Sequence, residues 1–118
     1  MITMDSILGA KFGTEAGTLE ASFRKTVKTK EYETEVVEVK AKVDIEPNAS
    51  GIDRMMGLAL LEAQIEYSAY SNLVFKGVIT EAEFAKRKED IERSVNAVAS
   101  KYVGITGESP AEKFNIRL

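Results

Sequence analysis

Histidine and cysteine are both absent from this 118-residue sequence. Without histidine, the chain lacks the base of a Ser-His-Asp triad and the usual ligands of a zinc site. Without cysteine, it forms no disulfide and carries no thiol nucleophile, which is typical of proteins in a reducing cytosol. The remaining reactive side chains form no evident nucleophile-base pair or metal cluster. We therefore predict a non-enzymatic protein that needs no metal and no cofactor.

Targeting and membrane-spanning segments are lacking as well. The N-terminal residues, MITMDSILGAKFG, have no basic region followed by a sustained apolar run, as a secretory signal would have. The longest apolar-rich segment is interrupted by Asp53, Arg54, Glu62 and Glu66, which disfavours a membrane span. The sequence therefore predicts a cytoplasmic protein that does not enter a membrane.

An overall excess of positive charge is missing too. The net charge is −3 and the pI is about 5.1, so the chain as a whole has no electrostatic attraction to nucleic acid. Basic residues are clustered, however, since Arg24, Lys25, Lys28 and Lys30 lie within seven residues. A hydrophobic content of 44% and a charged content of 30% are ordinary for a globular protein. A chain of this length forms one domain, residues 1–118, with a single modest core.

The most apolar part of the chain, residues 51–75, predicts one long helix, because Met, Leu, Ala, Glu and Gln dominate and no proline interrupts it. At 3.6 residues per turn, two apolar stripes run along this helix. The first stripe comprises Ile52, Met56, Ala59, Ala63, Tyr67, Tyr70 and Val74. The second comprises Leu58, Leu61, Ile65 and Ala69. We expect the rest of the chain to cover the first stripe, and the second to form the interface of a homodimer or higher homo-oligomer.

Residues 19–45 alternate in polarity and predict a β-hairpin. Apolar residues fall at odd positions in both strands, so one extra residue must be absorbed near the turn. The doublet Val36-Val37 is the expected place for a bulge, which would turn Tyr32 and Val36 towards the buried face. A loop of odd length would serve equally well and would leave Tyr32 in solvent.

The second half of the chain predicts a helical hairpin over residues 51–103. Ser50 with Asp53, and Thr80 with Glu83, have the spacing of capping boxes. Residues 1–18 suit an irregular arm or a short helix that starts at Asp5 or Ser6. In the tail, residues 104–118, apolar side chains alternate, so it could add a third strand, clasp a neighbouring subunit or fray. The predicted fold class is α+β, with the β-hairpin packed on a long antiparallel helical hairpin.

The segment KTVKTKEYETEVVEV resembles small uncharacterised proteins of phages and archaeal viruses, in which a basic-aromatic hairpin precedes an acidic linker and a helix. The resemblance covers about residues 22–62. It implies an origin in a mobile element, with host cytoplasm as the location, and it implies no catalytic residues.

Six residues of the hairpin could bind single-stranded nucleic acid, because basic side chains follow a phosphate backbone and an aromatic ring stacks on a base. They are Arg24, Lys28, Lys30, Tyr32, Lys40 and Lys42. Four acids occur in the same region, Glu20, Glu31, Glu38 and Asp44, and alternating charges also serve simply to keep a sheet soluble.

Three functions remain open from the sequence. The leading one is an accessory protein of a virus or plasmid that binds a protein partner, such as a host protein, as a homo-oligomer. The alternatives are a single-stranded nucleic-acid-binding protein and a protein that binds a small ligand such as a nucleotide, with Tyr67, Tyr70 and Phe75 as stacking residues. Glu62 and Glu66, one helical turn apart, could bind a cation or share a proton, although a solvated helix face explains them more simply.

Overall fold

The computed structural model of the chain describes residues 1–12, 17–30, 33–45 and 49–117. In chain order its elements are helix α1 (Met4–Leu8), strands β1 (Gly17–Lys30) and β2 (Glu33–Ile45), and helices α2 (Gly51–Phe75), α3 (Glu81–Thr106) and α4 (Pro110–Phe114). The two strands form an antiparallel hairpin that packs on the hairpin of helices α2 and α3. The predicted α+β fold class is therefore confirmed.

The register of the hairpin separates its two faces. Residues of the same parity lie opposite each other, as Lys28 does opposite Thr34, so odd residues share the inner face and even residues share the outer face. The predicted irregularity exists, but it lies between Lys28 and Lys30, which makes the predicted bulge at residues 36 and 37 wrong. As a result Val36 is on the outer face and 47% exposed, whereas Val37 is buried.

Helix α2 begins with the predicted capping box. The Ser50 hydroxyl accepts from the Asp53 backbone N–H at 3.2 Å, and the Asp53 carboxylate accepts from the Ser50 backbone N–H at 3.3 Å. These bonds satisfy donors that a helix N-terminus leaves unpaired. The helix is capped at its C-terminus by Lys76, and Gly77 follows with a φ of +74°, a conformation that glycine adopts without strain.

Helix α3 also begins where the sequence predicts. The Thr80 hydroxyl accepts from the Glu83 backbone N–H at 3.1 Å. The helix extends to Thr106, beyond the predicted end at residue 103, and stops at Gly107, whose φ is +71°. Both long helices therefore begin at a capping residue and end next to a glycine, and these residues can be recognised in the sequence.

Helix α2 is the central element of the fold, because the inner face of the hairpin packs on one side of it and α3 packs on another. Its side chains Met56, Leu60, Leu73 and Ala69 are at most 1% exposed. The hairpin contributes buried and half-buried apolar residues from its odd positions: Leu19, Phe23, Val27, Val37 and Val39. Helix α3 contributes Ile91, Val95, Ala99 and Tyr102.

The N-terminal segment is docked on the helical hairpin and is not an irregular arm. Helix α1 is capped by Thr3, earlier than the predicted cap residues, through a bond from the Ser6 backbone N–H. Asn96 of α3 makes two hydrogen bonds with the backbone of Ile2, of 2.8 and 2.9 Å. Ile2 and Ile7 are at most 2% exposed, so this segment belongs to the core.

The C-terminal tail forms a short helix, and within the described residues it does not add the third strand that was one of the three alternatives for it. Ser109 caps α4 and Pro110 occupies its first turn, where a missing N–H costs nothing. Phe114 and Ile116 are buried because the left-handed turn at Asn115 directs both towards the core. Their alternation in sequence therefore reflects a helix end and a following turn.

A buried polar network joins three helices at the N-terminus of α2. The Tyr102 hydroxyl donates to the Asp53 carboxylate at 2.7 Å, and the Lys113 ammonium lies 3.1 Å from the other carboxylate oxygen. Burial raises the pKa of Asp53, but the bonds from Tyr102, Lys113 and Ser50 outweigh it and hold the pKa below its usual value. Burial and the Asp53 carboxylate raise the pKa of Tyr102 to about 12.

The two long helices, of 25 and 26 residues, set the long dimension of the molecule, whose principal extents are 50 × 29 × 19 Å. None of the helices within the described ranges combines the length and the apolar character that a bilayer span requires.

Candidate binding surface of the hairpin

The outer face of the hairpin carries most of the basic residues predicted to bind nucleic acid. Four of the six predicted residues have described side chains, and all four are exposed on this face: Arg24, Lys28, Lys40 and Lys42. The side chain of Lys30 and the whole of Tyr32 lie outside the described residues. Helix α2 covers the opposite face, so these four cations point away from the core.

Acidic side chains partly neutralise the outer face. The Lys40 ammonium lies 3.3 Å from the Glu38 carboxylate, and the Lys42 ammonium lies 3.6 Å from the Glu20 carboxylate. Glu38 also lies directly across the ladder from Arg24. Because the paired side chains are 43 to 74% exposed, each ion pair contributes little to stability, roughly 0.2–1 kcal/mol. Their effect is to give this surface a mixed and locally patterned charge.

An open hollow of about 610 Å³ lies on this hairpin, lined by residues 20–22 of β1 and residues 40–42 of β2. On the outer face, Ser22 lies opposite Lys40, and its short side chain leaves space between longer neighbours. Ala21 and Ala41 have inner-face positions, so their backbone forms the floor of the hollow. The hollow has room for one large side chain of a binding partner.

Both long edges of the hairpin are unpaired within the described residues. The strands are 14 and 13 residues long and pair with each other in a two-stranded sheet. Each strand therefore has one row of backbone N–H and C=O groups that no neighbouring strand of the described fold satisfies. Such an edge is a template for pairing with another strand.

Lys25 belongs to the basic cluster of the sequence but does not lie on the outer face with the others. It occupies an inner-face position of β1, where its ammonium donates to the Tyr70 hydroxyl at 3.2 Å and lies 5.1 Å from the centre of that ring. Arg87 of α3 lies 5.7 Å from the same ring centre. The sequence does contain a signal, because Lys25 breaks the run of apolar residues at odd positions between Phe23 and Val27.

Glu66, on α2, lies near both of these cations, Lys25 of β1 and Arg87 of α3. Burial raises the pKa of Glu66, and the nearby Glu62 carboxylate raises it further, while Arg87 and Lys25 act in the opposite direction. A recess of about 80 Å³ adjoins it, lined by Glu66, Tyr70, Arg87, Asp90, Ile91 and Ser94. The balance of acids and bases in this recess favours neither an anion nor a cation as a ligand.

Three of the four residues predicted to form the oligomer interface are buried within the chain. Leu61, Ile65 and Ala69 are at most 4% exposed, so other parts of the chain already cover them. Leu61 packs against Leu19 of β1. Leu58 is half-buried. The second stripe of α2 thus has an intrachain partner, and an oligomer would need another surface.

Of the three aromatic residues predicted for ligand stacking, Tyr67 and Phe75 line one open groove, whereas Tyr70 lines a separate recess. The Tyr67 ring packs on Phe84 with ring centres 5.4 Å apart, and the Tyr70 ring packs on Phe23 at 5.6 Å. Phe75 ends α2 and is 91% exposed. It borders an open groove of about 510 Å³ whose lining residues are mostly polar.

A metal site does not emerge from the residues that the structure describes, since no three Asp or Glu side chains there are placed to hold an ion. Glu62 is exposed, whereas Glu66 is half-buried beside cations. Comparison with protein-family models, with curated proteins and with solved structures finds no match. The resemblance to phage and archaeal-virus proteins therefore stays a prediction.

Proposed function

We propose that this chain is a non-enzymatic accessory protein that works as a homo-oligomer and binds a protein partner through the outer face of its hairpin. One observation carries the proposal: a hairpin of 14 and 13 residues is covered by α2 on one face and presents a patterned polar surface on the other. The absence of histidine and cysteine supports a non-catalytic role, and the resemblance to viral proteins suggests a host protein as the partner.

The mixed charge of the outer face favours a protein over nucleic acid. Glu20 and Glu38 lie among the cations. The phosphate backbone of a nucleic acid along this face would therefore be repelled by carboxylates at intervals. A protein surface can match both signs of charge, and complementary charge patterns provide specificity at protein interfaces. The hollow lined by residues 20–22 and 40–42 would receive an anchoring side chain of the partner.

A matched pair of variants tests the proposal. The outer-face variant Thr26→Arg/Lys28→Glu changes the charge pattern of β1. The control Ser100→Arg/Lys101→Glu makes the same net change of charge at exposed positions of α3. Each immobilised protein is exposed to nuclease-treated extract of its source cells, and the captured protein is then purified and titrated calorimetrically against all three chains.

The expected result is one dominant protein that binds the wild type and the α3 control equally and binds the outer-face variant at least tenfold more weakly. Equal affinity for the wild type and the outer-face variant would contradict the proposal. Circular dichroism and thermal unfolding of each variant show whether its fold is intact before binding is compared.

Single-stranded nucleic acid is the second candidate, because basic side chains outnumber acidic ones on the described outer face and Lys28 lies opposite Thr34 and not opposite an acid. Binding would then weaken steeply as salt increases. Retention of the wild type on single-stranded DNA that is lost in Lys28→Glu/Lys30→Glu supports this candidate. Failure of the wild type to be retained at low salt excludes it.

A further inference from the structure

We infer that the free edge of β2 pairs antiparallel with the β2 edge of a second copy, in a two-fold dimer whose axis passes beside Val39. This inference rests on the homo-oligomer of the proposed function and does not depend on which partner the outer face binds. It replaces the interface predicted on α2, which the hairpin covers. The result is one continuous four-stranded sheet with both α2 helices on its inner side.

The length of β2 selects this register. The strand runs from Glu33 to Ile45, so Val39 is its central residue. Placing Val39 opposite Val39 of the second copy aligns all 13 residues of each strand and gives the maximum number of backbone bonds. It also keeps inner-face residues opposite inner-face residues, because the two numbers in each pair then have the same parity.

The charges of β2 agree with the same register. On the outer face, Glu38 of each copy lies opposite Lys40 of the other, which gives two opposite-charge pairs across the axis. On the inner face, Val37 lies opposite Ala41, and the two copies of Val39 face each other. The two neighbouring registers that preserve the faces place Lys40 opposite Lys40 or Glu38 opposite Glu38, and like charges directly opposite are destabilising.

Strand β1 does not offer an equivalent edge. Its 14 residues have no central residue, so pairing its full length with itself would set inner-face residues against outer-face residues. Its ladder is also irregular between Lys28 and Lys30, and irregularities of this kind protect an edge from pairing. In contrast, β2 contains no proline, and its register is unbroken from Thr34 to Ile45.

Charge reversal at residues 38 and 40 provides the first test. Lys40→Glu sets Glu38 opposite a second carboxylate at position 40 of the other copy, and Glu38→Lys sets two ammonium groups opposite each other. Each variant alone is therefore expected to be monomeric. In an equimolar mixture, a dimer of the two different variants joins a carboxylate and an ammonium at both pairs across the axis, so the mixture is expected to dimerise. The double variant Glu38→Lys/Lys40→Glu exchanges the two charges within one chain, restores both pairs and is also expected to dimerise. The α3 variant Lys86→Glu has the same change of charge as Lys40→Glu at an exposed site and is expected to stay dimeric.

Light scattering measures the molar mass of each variant in solution, and a dimer has twice the 13.0 kDa mass of one chain. A wild type that is monomeric at micromolar concentration overturns both the inference and the homo-oligomer of the proposed function. Dimers that survive Lys40→Glu, or a double variant that stays monomeric although circular dichroism shows it folded, overturn the inference alone.

Cysteine substitution tests the register, because the natural chain contains no cysteine. Residues opposite each other in an antiparallel pair have Cα atoms about 4.5–5.5 Å apart, within the range that a disulfide spans. Val39→Cys is therefore expected to give a covalent dimer on mild oxidation. Ala41→Cys is expected to stay uncrosslinked, since its two copies lie roughly 14 Å apart. Crosslinking of Ala41→Cys without Val39→Cys would reject this register, while partner capture by the outer face would remain a separate question.

Discussion

At the scale of single residues, the Asp53 carboxylate connects three helices through hydrogen bonds and an ion pair. This carboxylate accepts from the backbone N–H of Ser50, the N-cap of α2, accepts from Tyr102 of α3 and pairs with Lys113 of α4, although Asp53 is only 9% exposed. A buried carboxylate is tolerated when donors surround it, as they do here. This one residue therefore ties the start of α2 to the end of α3 and to the C-terminal helix.

Asp53→Asn is expected to lower the free energy of unfolding by about 1.5–3 kcal/mol, the cost typical of losing hydrogen bonds to a charged group. Because the folded-state pKa of Asp53 lies below that of the unfolded chain, its stabilisation is complete above the unfolded pKa and is lost as pH falls through the folded pKa. Urea unfolding at neutral and acidic pH measures both effects. A variant as stable as the wild type at neutral pH would contradict this prediction.

Glu66 responds to charge in the opposite sense. Burial and Glu62 raise its pKa, so ionised Glu66 lowers stability at neutral pH, and this penalty disappears as pH falls through its folded and then its unfolded pKa. Glu62→Gln is expected to lower the pKa of Glu66, whereas Lys25→Met is expected to raise it further. Titration of the side-chain carboxyl by NMR measures each shift. Shifts in the same direction for both variants would show that these neighbours do not act on Glu66 by charge.

At the scale of elements, the helix boundaries follow from side chains a few residues apart. The pair Thr80 and Glu83 predicted the start of α3, and Ser50 with Asp53 predicted the start of α2, because a cap depends on local spacing alone. The alternation of β1 and β2 predicted the hairpin for the same reason. The sequence was therefore enough to predict those elements whose hydrogen bonds join residues close together in the chain.

Thr80→Ala is expected to reduce the free energy of unfolding by about 1 kcal/mol, because the cap accepts a bond from a backbone N–H that α3 otherwise leaves unpaired. Thr80→Ser preserves the hydroxyl and serves as the control, with stability close to that of the wild type. Thermal unfolding of the three proteins provides the comparison. Equal losses in the alanine and serine variants would assign the effect to the methyl group and not to the cap.

Two features of the fold could not be predicted from the sequence, because in each case several structures are compatible with the same sequence pattern. The tail residues Phe114 and Ile116 alternate like a strand, yet Ser109 and Pro110 start a helix, and the buried position of the tail decides between them. The irregularity of the hairpin had to exist, but its place near Lys28 depends on the geometry of the turn. In both cases the deciding interaction lies outside the segment itself.

At the scale of the whole molecule, α2 is the central element, in contact with the hairpin, with α3 and with α1. The stripes on a helix show which residues avoid water, but they do not show what covers them. The expectation that the rest of the chain would cover only the first stripe was wrong, because the hairpin lies on the stripe that contains Leu61. Arg24, Lys28, Lys40 and Lys42, in contrast, lie on the outer face that strand alternation predicts for them, since the period of two leaves no choice of side.

The two interpretations of Leu61 make different predictions about one variant. Leu61 is a core residue between α2 and β1 and is 1% exposed. Leu61→Ala is therefore expected to lower the free energy of unfolding by about 2–5 kcal/mol, through lost burial and the cavity left behind. Phe75→Ala, at a site 91% exposed, is the control and is expected to change stability by less than about 0.5 kcal/mol. Urea unfolding and light scattering are measured on the same samples.

If Leu61 instead lay in an interface between copies, Leu61→Ala would reduce the oligomer to a 13.0 kDa monomer and leave the unfolding of that monomer unchanged. We expect the reverse, a less stable chain whose oligomeric mass in native buffer equals that of the wild type. This outcome follows from the position of the hairpin, because Leu19 and its neighbours already occupy the surface that a second copy would need. Any self-association must then use a part of the molecule other than this stripe of α2, such as the edge of β2, which pairs with no strand among the described residues.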